Sequence, residues 1–136
     1  MRKISKIIIH CSATPSGRAV TINEIDAWHK QRGFACIGYH YVIGINGEIW
    51  KGRDEQRIGA HCLNHNKHSI GVCYIGGLSS KDYTPKDTRT DMQKAALIKL
   101  LRELKVKYPN TTIHGHNEFA AKECPCFNAN NEYKNI

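Results

Sequence analysis

The chain has no apolar run near the roughly 20 residues that a membrane-crossing helix needs, so no membrane insertion is expected. It has no repeats, low-complexity tracts or long linkers, and 136 residues suffice for one buried core but not two, so a single domain over residues 1–136 is expected. A secretion signal is also missing. The opening Met-Arg-Lys-Ile-Ser-Lys is basic, but the apolar run stops after Ile9 with no small-residue cleavage site behind it, and synthesis in the cytoplasm is expected. In that compartment a disulfide framework for the six cysteines, at 11, 36, 62, 73, 124 and 126, is disfavoured, while the sequence leaves the state of Cys36, Cys62 and Cys126 open. Cys11 and Cys73, in or beside apolar strand-like runs, read as small core residues. No basic tract carries interleaved aromatics, so a formal net charge of +8 favours anionic surroundings without indicating a specific nucleic acid. A monomer is expected.

What is present alternates between strands and helices. Lys6 to His10 contains Ile7-Ile8-Ile9, the continuous apolar run of a strand buried on both faces, and it ends on a histidine. Thr21-Ile22-Asn23-Glu24 is a capping box, and Ile22, Ile25, Trp28 and His29 follow at helical spacing to about Gln31, closed by Gly33. Tyr39 to Ile43 and Glu48 to Trp50 flank Asn46-Gly47, which tolerates positive φ at both turn centres and predicts a hairpin. Ser69 to Ile75 reads as a second buried strand stopped by Gly76-Gly77, with a surface loop from Leu78 to Asp87. Within 88–107, Met92, Ala96, Leu97, Leu100, Leu101 and Leu104 form one helical apolar stripe, ended by Pro109. Thr111 to His114 is a short β-branched strand, and loop is expected beyond it. The pattern predicts an α/β domain with a central mixed β-sheet flanked by helices.

The tail from His114 to Cys126 places two histidines and two cysteines within thirteen residues. Imidazole and thiolate are zinc's preferred ligands, and a catalytic zinc takes three protein ligands with a fourth position left open. The spacing matches no zinc-finger pattern, and it does not choose between His114 and His116 or between Cys124 and Cys126.

Four blocks in order bear on that choice: Ile7-Ile8-Ile9-His10-Cys11-Ser12-Ala13-Thr14-Pro15, Gly38-Tyr39-His40-Tyr41-Val42-Ile43, Ser69-Ile70-Gly71-Val72-Cys73, and Gly115-His116-Asn117-Glu118 through Lys122-Glu123-Cys124-Pro125. Together they resemble the zinc-dependent N-acetylmuramoyl-L-alanine amidases, the family of phage lysozyme-type amidases and peptidoglycan recognition proteins. The resemblance implies one zinc ion per chain held by His10, His116 and Cys124, with Tyr39 and Lys122 taking part in catalysis. It implies hydrolysis of the amide between N-acetylmuramic acid and L-alanine, with bacterial peptidoglycan as the substrate. The simplest setting is a phage or prophage endolysin acting on the wall after release from the cytoplasm. In such a reaction the metal polarises the carbonyl and lowers the pKa of water to about 7. Lys122 would stabilise the developing oxyanion, and Tyr39 would hold the water or relay its proton.

The remaining polar residues carry smaller expectations. His29 reads as an interfacial imidazole, and His40 should face away from Tyr39 along its strand. His61, His65 and His68 are expected to border the groove, and Arg18, Arg53 or Arg57 to meet a stem carboxylate. Asn128 stands where many relatives carry an aspartate, and there it would support the metal loop more weakly. The alternatives are a non-catalytic peptidoglycan-binding module, against which Cys124 argues, a nucleic-acid- or polymerase-binding regulator, which the basic charge suggests and no motif supports, and a structural zinc site with Cys126 as fourth ligand.

Overall fold

A computed structural model describes residues 2–136; Met1, where the N-terminal reading begins, lies outside them. The long strand β1 (Lys6–Cys11) runs parallel to both of its neighbours, β5 (Ser69–Tyr74) and β7 (Thr112–Gly115). Beyond β5 lies β3 (Tyr41–Ile43), also parallel, and β4 (Ile49–Lys51) closes that edge antiparallel, so the sheet is mixed with the order β4-β3-β5-β1-β7. Parallel strands covered on both faces explain why Ile7, Ile8 and Ile9 form an unbroken apolar run, each fully buried.

The two faces follow from strand alternation. Ile7, Ile9, Val72 and Tyr74 pack with Leu97, Leu100, Leu101 and Leu104 of α2 (Asp91–Lys107). Val42, Cys73 and Ile75 pack on the other face with Ile25 of α1 (Ile22–Gln31). The sheet is thus flanked by helices as expected, and Cys11 and Cys73 are core thiols at 6% and 0% exposure. All six cysteines are free.

Both long helices start at capping boxes. Thr21 Oγ1 accepts from Glu24 N at 3.2 Å, as predicted, and Thr90 Oγ1 does the same for Gln93 N at 3.1 Å. At the second, the apolar stripe departs from expectation: Met92 is 53% exposed and Gln93 is fully buried. Gln93 Nε2 donates to the carbonyls of Ile43 and Ile75 at 3.3 and 2.9 Å, satisfying strand ends that a methionine would leave unpaired.

The hairpin forms, but not around a two-residue turn. Five residues, Gly44 to Glu48, connect Ile43 to Ile49, closed by Gly44 N donating to Glu48 O and Gly47 N to Gly44 O, and of the central pair Gly47 takes positive φ, +86°. The expected loop after Gly77 contains a short strand, β6 (Gly77–Leu78), paired in parallel with β2 (Thr14–Pro15). The tail is also more ordered than its periodicity implied, with a 3-10 turn at His116–Glu118 and a short helix, α3 (Ala129–Glu132).

The tail is tied down by Arg89, whose side chain is 2% exposed. Its guanidinium bonds Asp87 and Glu132, donates to the Tyr133 hydroxyl at 2.7 Å, and lies 3.4 Å from the Phe127 ring centroid. The loop between Cys124 and Phe127 is therefore held to the start of α2.

Candidate metal centre and cleft

The site lies where parallel strands end. His10 is the penultimate residue of β1, on the face that looks toward α1, and His116 opens the 3-10 turn just after β7. Because β1 and β7 are parallel neighbours, their carboxyl ends bring the two imidazoles together, with Nδ1 to Nδ1 at 3.1 Å. Cys124 arrives from the tail loop, anchored by the Tyr74 hydroxyl donating to Pro125 O at 2.7 Å. The Cys11 amide donates to Cys124 Sγ at 3.2 Å. One ligand atom from each of His10, His116 and Cys124 lies within 4.8 Å of the others.

This geometry bears on both alternatives that spacing left open. His114 turns away, its ring nitrogens engaged by Glu118 Oε1 at 2.8 Å and Thr112 Oγ1 at 2.6 Å. Cys126 Sγ donates to Gly77 O at 3.4 Å.

The donor set suits zinc: two imidazoles and one thiol, the three protein groups a catalytic zinc takes. Burial foremost, then the neighbouring His61, His116, Lys122 and His29, holds His10 well below the ordinary histidine range. Burial and Lys122 lower His116 in the same direction. Both rings are therefore neutral at pH 7, the form a metal requires. Burial, then the thiols of Cys73, Cys124 and Cys11, pushes the Tyr39 phenol well above its usual range, so it keeps its proton. Its ring centroid stands 5.1 Å from that of His10.

A cleft of about 500 Å³ opens beside these residues, with Arg32, Phe34, His61, His116, Phe119 and Lys122 among its lining. Lys122 reaches it from the exposed segment that precedes Cys124.

The smaller expectations divide. His29 is the interfacial imidazole predicted, its Nδ1 accepting from Gly38 N at 2.8 Å. His40 is buried and structural, its Nδ1 accepting from Gly71 N and its Nε2 paired with Arg57 O. Of the three loop histidines, His61 lines the cleft and His65 stacks on Phe119 at 4.2 Å. His68 does not border it; its Nδ1 pairs with Lys3 O near the opposite, amino-terminal end of β1. None of the three arginines named lines the cleft. Arg53 is consumed by the carbonyls of Cys36, Ile37 and Ile58, Arg57 sits 3.8 Å from Cys36 Sγ, and Arg18 lies over Trp28. The cleft arginine is Arg32, at the C-cap of α1, where helix periodicity gives no functional signal. Asn128 caps α3, its Oδ1 accepting from Asn131 N at 3.0 Å, and its side chain makes no hydrogen bond to His10, His116 or Cys124.

A three-layer α/β fold with two histidines and one cysteine gathered at the carboxyl ends of parallel strands presents a candidate metal centre beside a cleft. The chain belongs to the N-acetylmuramoyl-L-alanine amidase family, whose family model matches residues 1–127. It is 40% identical over 126 residues to the endolysin of Klebsiella phage KP32, covering 93% of this chain and 83% of that protein. It is 40% identical over 121 residues to the endolysin of Escherichia phage T7, covering 89% and 80%. Among solved structures, the N-acetylmuramoyl-L-alanine amidase LysC from Clostridium intestinale URNW superposes with a TM-score of 0.81 at 31% identity, covering 96% of this chain and 82% of LysC. This chain is accordingly an amidase, a hydrolase of amide bonds.

Proposed function

We propose that the chain is a zinc-dependent endolysin that cleaves the amide between N-acetylmuramic acid and L-alanine in bacterial peptidoglycan after release from the cytoplasm. The convergence of His10, His116 and Cys124 within 4.8 Å, beside a cleft that also receives Lys122, is the observation that carries this reading. His10, His116 and Cys124 are the proposed ligands of a single zinc ion. Bound there, zinc supplies Lewis-acid polarisation of the carbonyl and a lowered pKa for water.

The chain's own residues do the rest. The cleft admits an extended substrate, and Phe34 and Phe119 offer apolar walls to it. Lys122 brings a cation to the side of the cleft where charge develops on the scissile carbonyl oxygen, so its interaction strengthens in the transition state. Tyr39, kept as a phenol, orients the attacking water by hydrogen bonding rather than acting as an ionised base. The Cys11 amide, donating to Cys124 Sγ, holds that sulfur beside the carboxyl end of β1. The net charge of +8 favours adsorption to an anionic wall.

The test is to incubate purified protein with peptidoglycan, with and without a zinc chelator, and to follow new L-alanine amino termini by mass spectrometry. Release should be abolished by the chelator and by Cys124→Ser, and reduced about 10²- to 10³-fold in kcat by Lys122→Met, the usual cost of one oxyanion partner. No release by zinc-loaded protein from walls of several chemistries would overturn the enzymatic reading. Wall binding without cleavage would identify a recognition module instead.

A further inference from the structure

His61 is a buried imidazole that the reaction above does not use. Its Nδ1 lies 2.8 Å from His10 Nε2, on the far side of the His10 ring from His116. Resting on the zinc reading of His10, we infer that His61, backed by Ser69, is a positioning residue that fixes the tautomer and orientation of His10.

The nitrogen that His10 turns toward His116 is Nδ1, so with zinc held between them Nδ1 would carry the free lone pair and Nε2 the proton. A metal-bound histidine is normally held by a hydrogen bond from its other ring N–H to a carboxylate, carbonyl or water. Here that acceptor is a second imidazole. His10 Nε2–H donates to His61 Nδ1, which requires the His61 proton on Nε2, and His61 Nε2 faces Ser69 Oγ at 3.2 Å. The two rings and the hydroxyl thus form a one-way relay in which each donor has one acceptor.

The surrounding chain is shaped to hold this ring. A Cβ at Gly71 would come within 2.6 Å of the His61 ring, and one at Gly59 within 2.7 Å, so any side chain at either position would displace it. Gly71 is a glycine in the interior of β5, where it costs strand stability and marks a close approach. On the loop side, the amides of His61 and Cys62 both donate to Asn66 Oδ1 at 2.9 Å, fixing the backbone that carries the ring. Two glycines, an asparagine and a serine therefore converge on an imidazole whose inward contact is His10. His61 is not itself brought into the three-ligand group.

The experiment compares zinc affinity, by competition with a chromophoric chelator, and the visible spectrum of the cobalt-substituted protein across four variants. Removing the acceptor with His61→Leu should weaken zinc binding about 10- to 100-fold and shift the cobalt bands. His61→Asn, whose Oδ1 reproduces the position of Nδ1, should stay within about threefold of wild type, whereas His61→Gln, whose amide reaches the Nε2 position, should behave like His61→Leu. Ser69→Ala should weaken binding in the same direction by a smaller factor. If His61→Leu does not fold, the contrast between Asn and Gln decides. Wild-type zinc affinity in folded His61→Leu, or equal losses in the Asn and Gln variants, would overturn the inference while leaving the metal reading intact. A wild-type protein that binds no zinc would overturn both.

Discussion

Arg89→Met removes a buried cation while retaining most of its apolar stem, and the structure sets the size of the effect. Breaking a fully buried ion pair costs about 3–5 kcal/mol, chiefly because the abandoned charge stays buried. Here the abandoned carboxylates have an escape, since the side chains of Asp87 and Glu132 are 31% and 43% exposed, which places the loss below that range. The bond to Tyr133 and the stack on Phe127 are lost as well. The expected destabilisation is about 2–3 kcal/mol, or a fall in Tm of about 10 °C for a domain of this size. Differential scanning calorimetry of the metal-free protein near pH 7 measures it directly.

A second arm of the same experiment uses pH. Burial pushes Asp87 up, but the Arg89 hydrogen bonds outweigh it, and Glu132 is lowered first of all by Arg89. Both carboxylates are thus depressed in the fold, so their stabilising contribution is present above the ordinary carboxylate range and is lost as pH falls through the folded values. The gap between wild type and Arg89→Met should narrow toward about pH 3. A variant melting within about 2 °C of wild type near pH 7 would refute the reasoning that this cluster secures the tail.

Two further outcomes are expected. Burial foremost holds His40 at about 4, against an ordinary 6.5, so the unfolded chain takes up a proton first as pH falls. Stability is whole above about pH 6.5 and declines below it, with His40 alone costing about 2 kcal/mol at about pH 5. The buried His10, His29 and His116 are lowered in the same direction. Urea midpoints of the metal-free protein at about pH 7.5 and pH 5 should therefore differ, and equal midpoints would count against neutral buried histidines. Asn128→Asp should change stability by less than about 0.5 kcal/mol and leave kcat/KM within about twofold, because the two residues are equivalent helix caps. A large gain in activity would instead indicate a direct role in the metal loop.

Much of this fold could be read from the chain because its signals are local. The Ile7-Ile8-Ile9 run, the Thr21–Glu24 capping box and the leucine stripe of α2 each declare an element and its buried face. The turn type at Asn46-Gly47 depends on a tertiary contact, since a Cβ at Gly47 would meet Met92 O at 2.9 Å, and the hairpin loop is packed against the start of α2. The inward Gln93 likewise answers strand carbonyls from Ile43 and Ile75, which a helical periodicity does not see.

The site was legible to a different depth. Spacing identified the ligand-rich tail but left His114 or His116 and Cys124 or Cys126 open, a choice that only the family resemblance made; in the fold His116 stands in the 3-10 turn after β7 and Cys124 meets the Cys11 amide, more than 100 residues earlier in the chain. The clue to His61 was present and unused: a glycine inside an otherwise apolar strand, Gly71, whose missing side chain makes room for the ring.

His10 and His116 are separated by 106 positions in the chain. During synthesis, then, His10 is made more than 100 residues before His116 and Cys124, the two residues proposed to join it on zinc. On the proposed zinc reading, a nascent chain that stops short of Cys124 has no assembled trio to capture the metal. Since a ligand that binds the native state alone adds to its stability, zinc held at the proposed site would stabilise only chains that extend past Cys124.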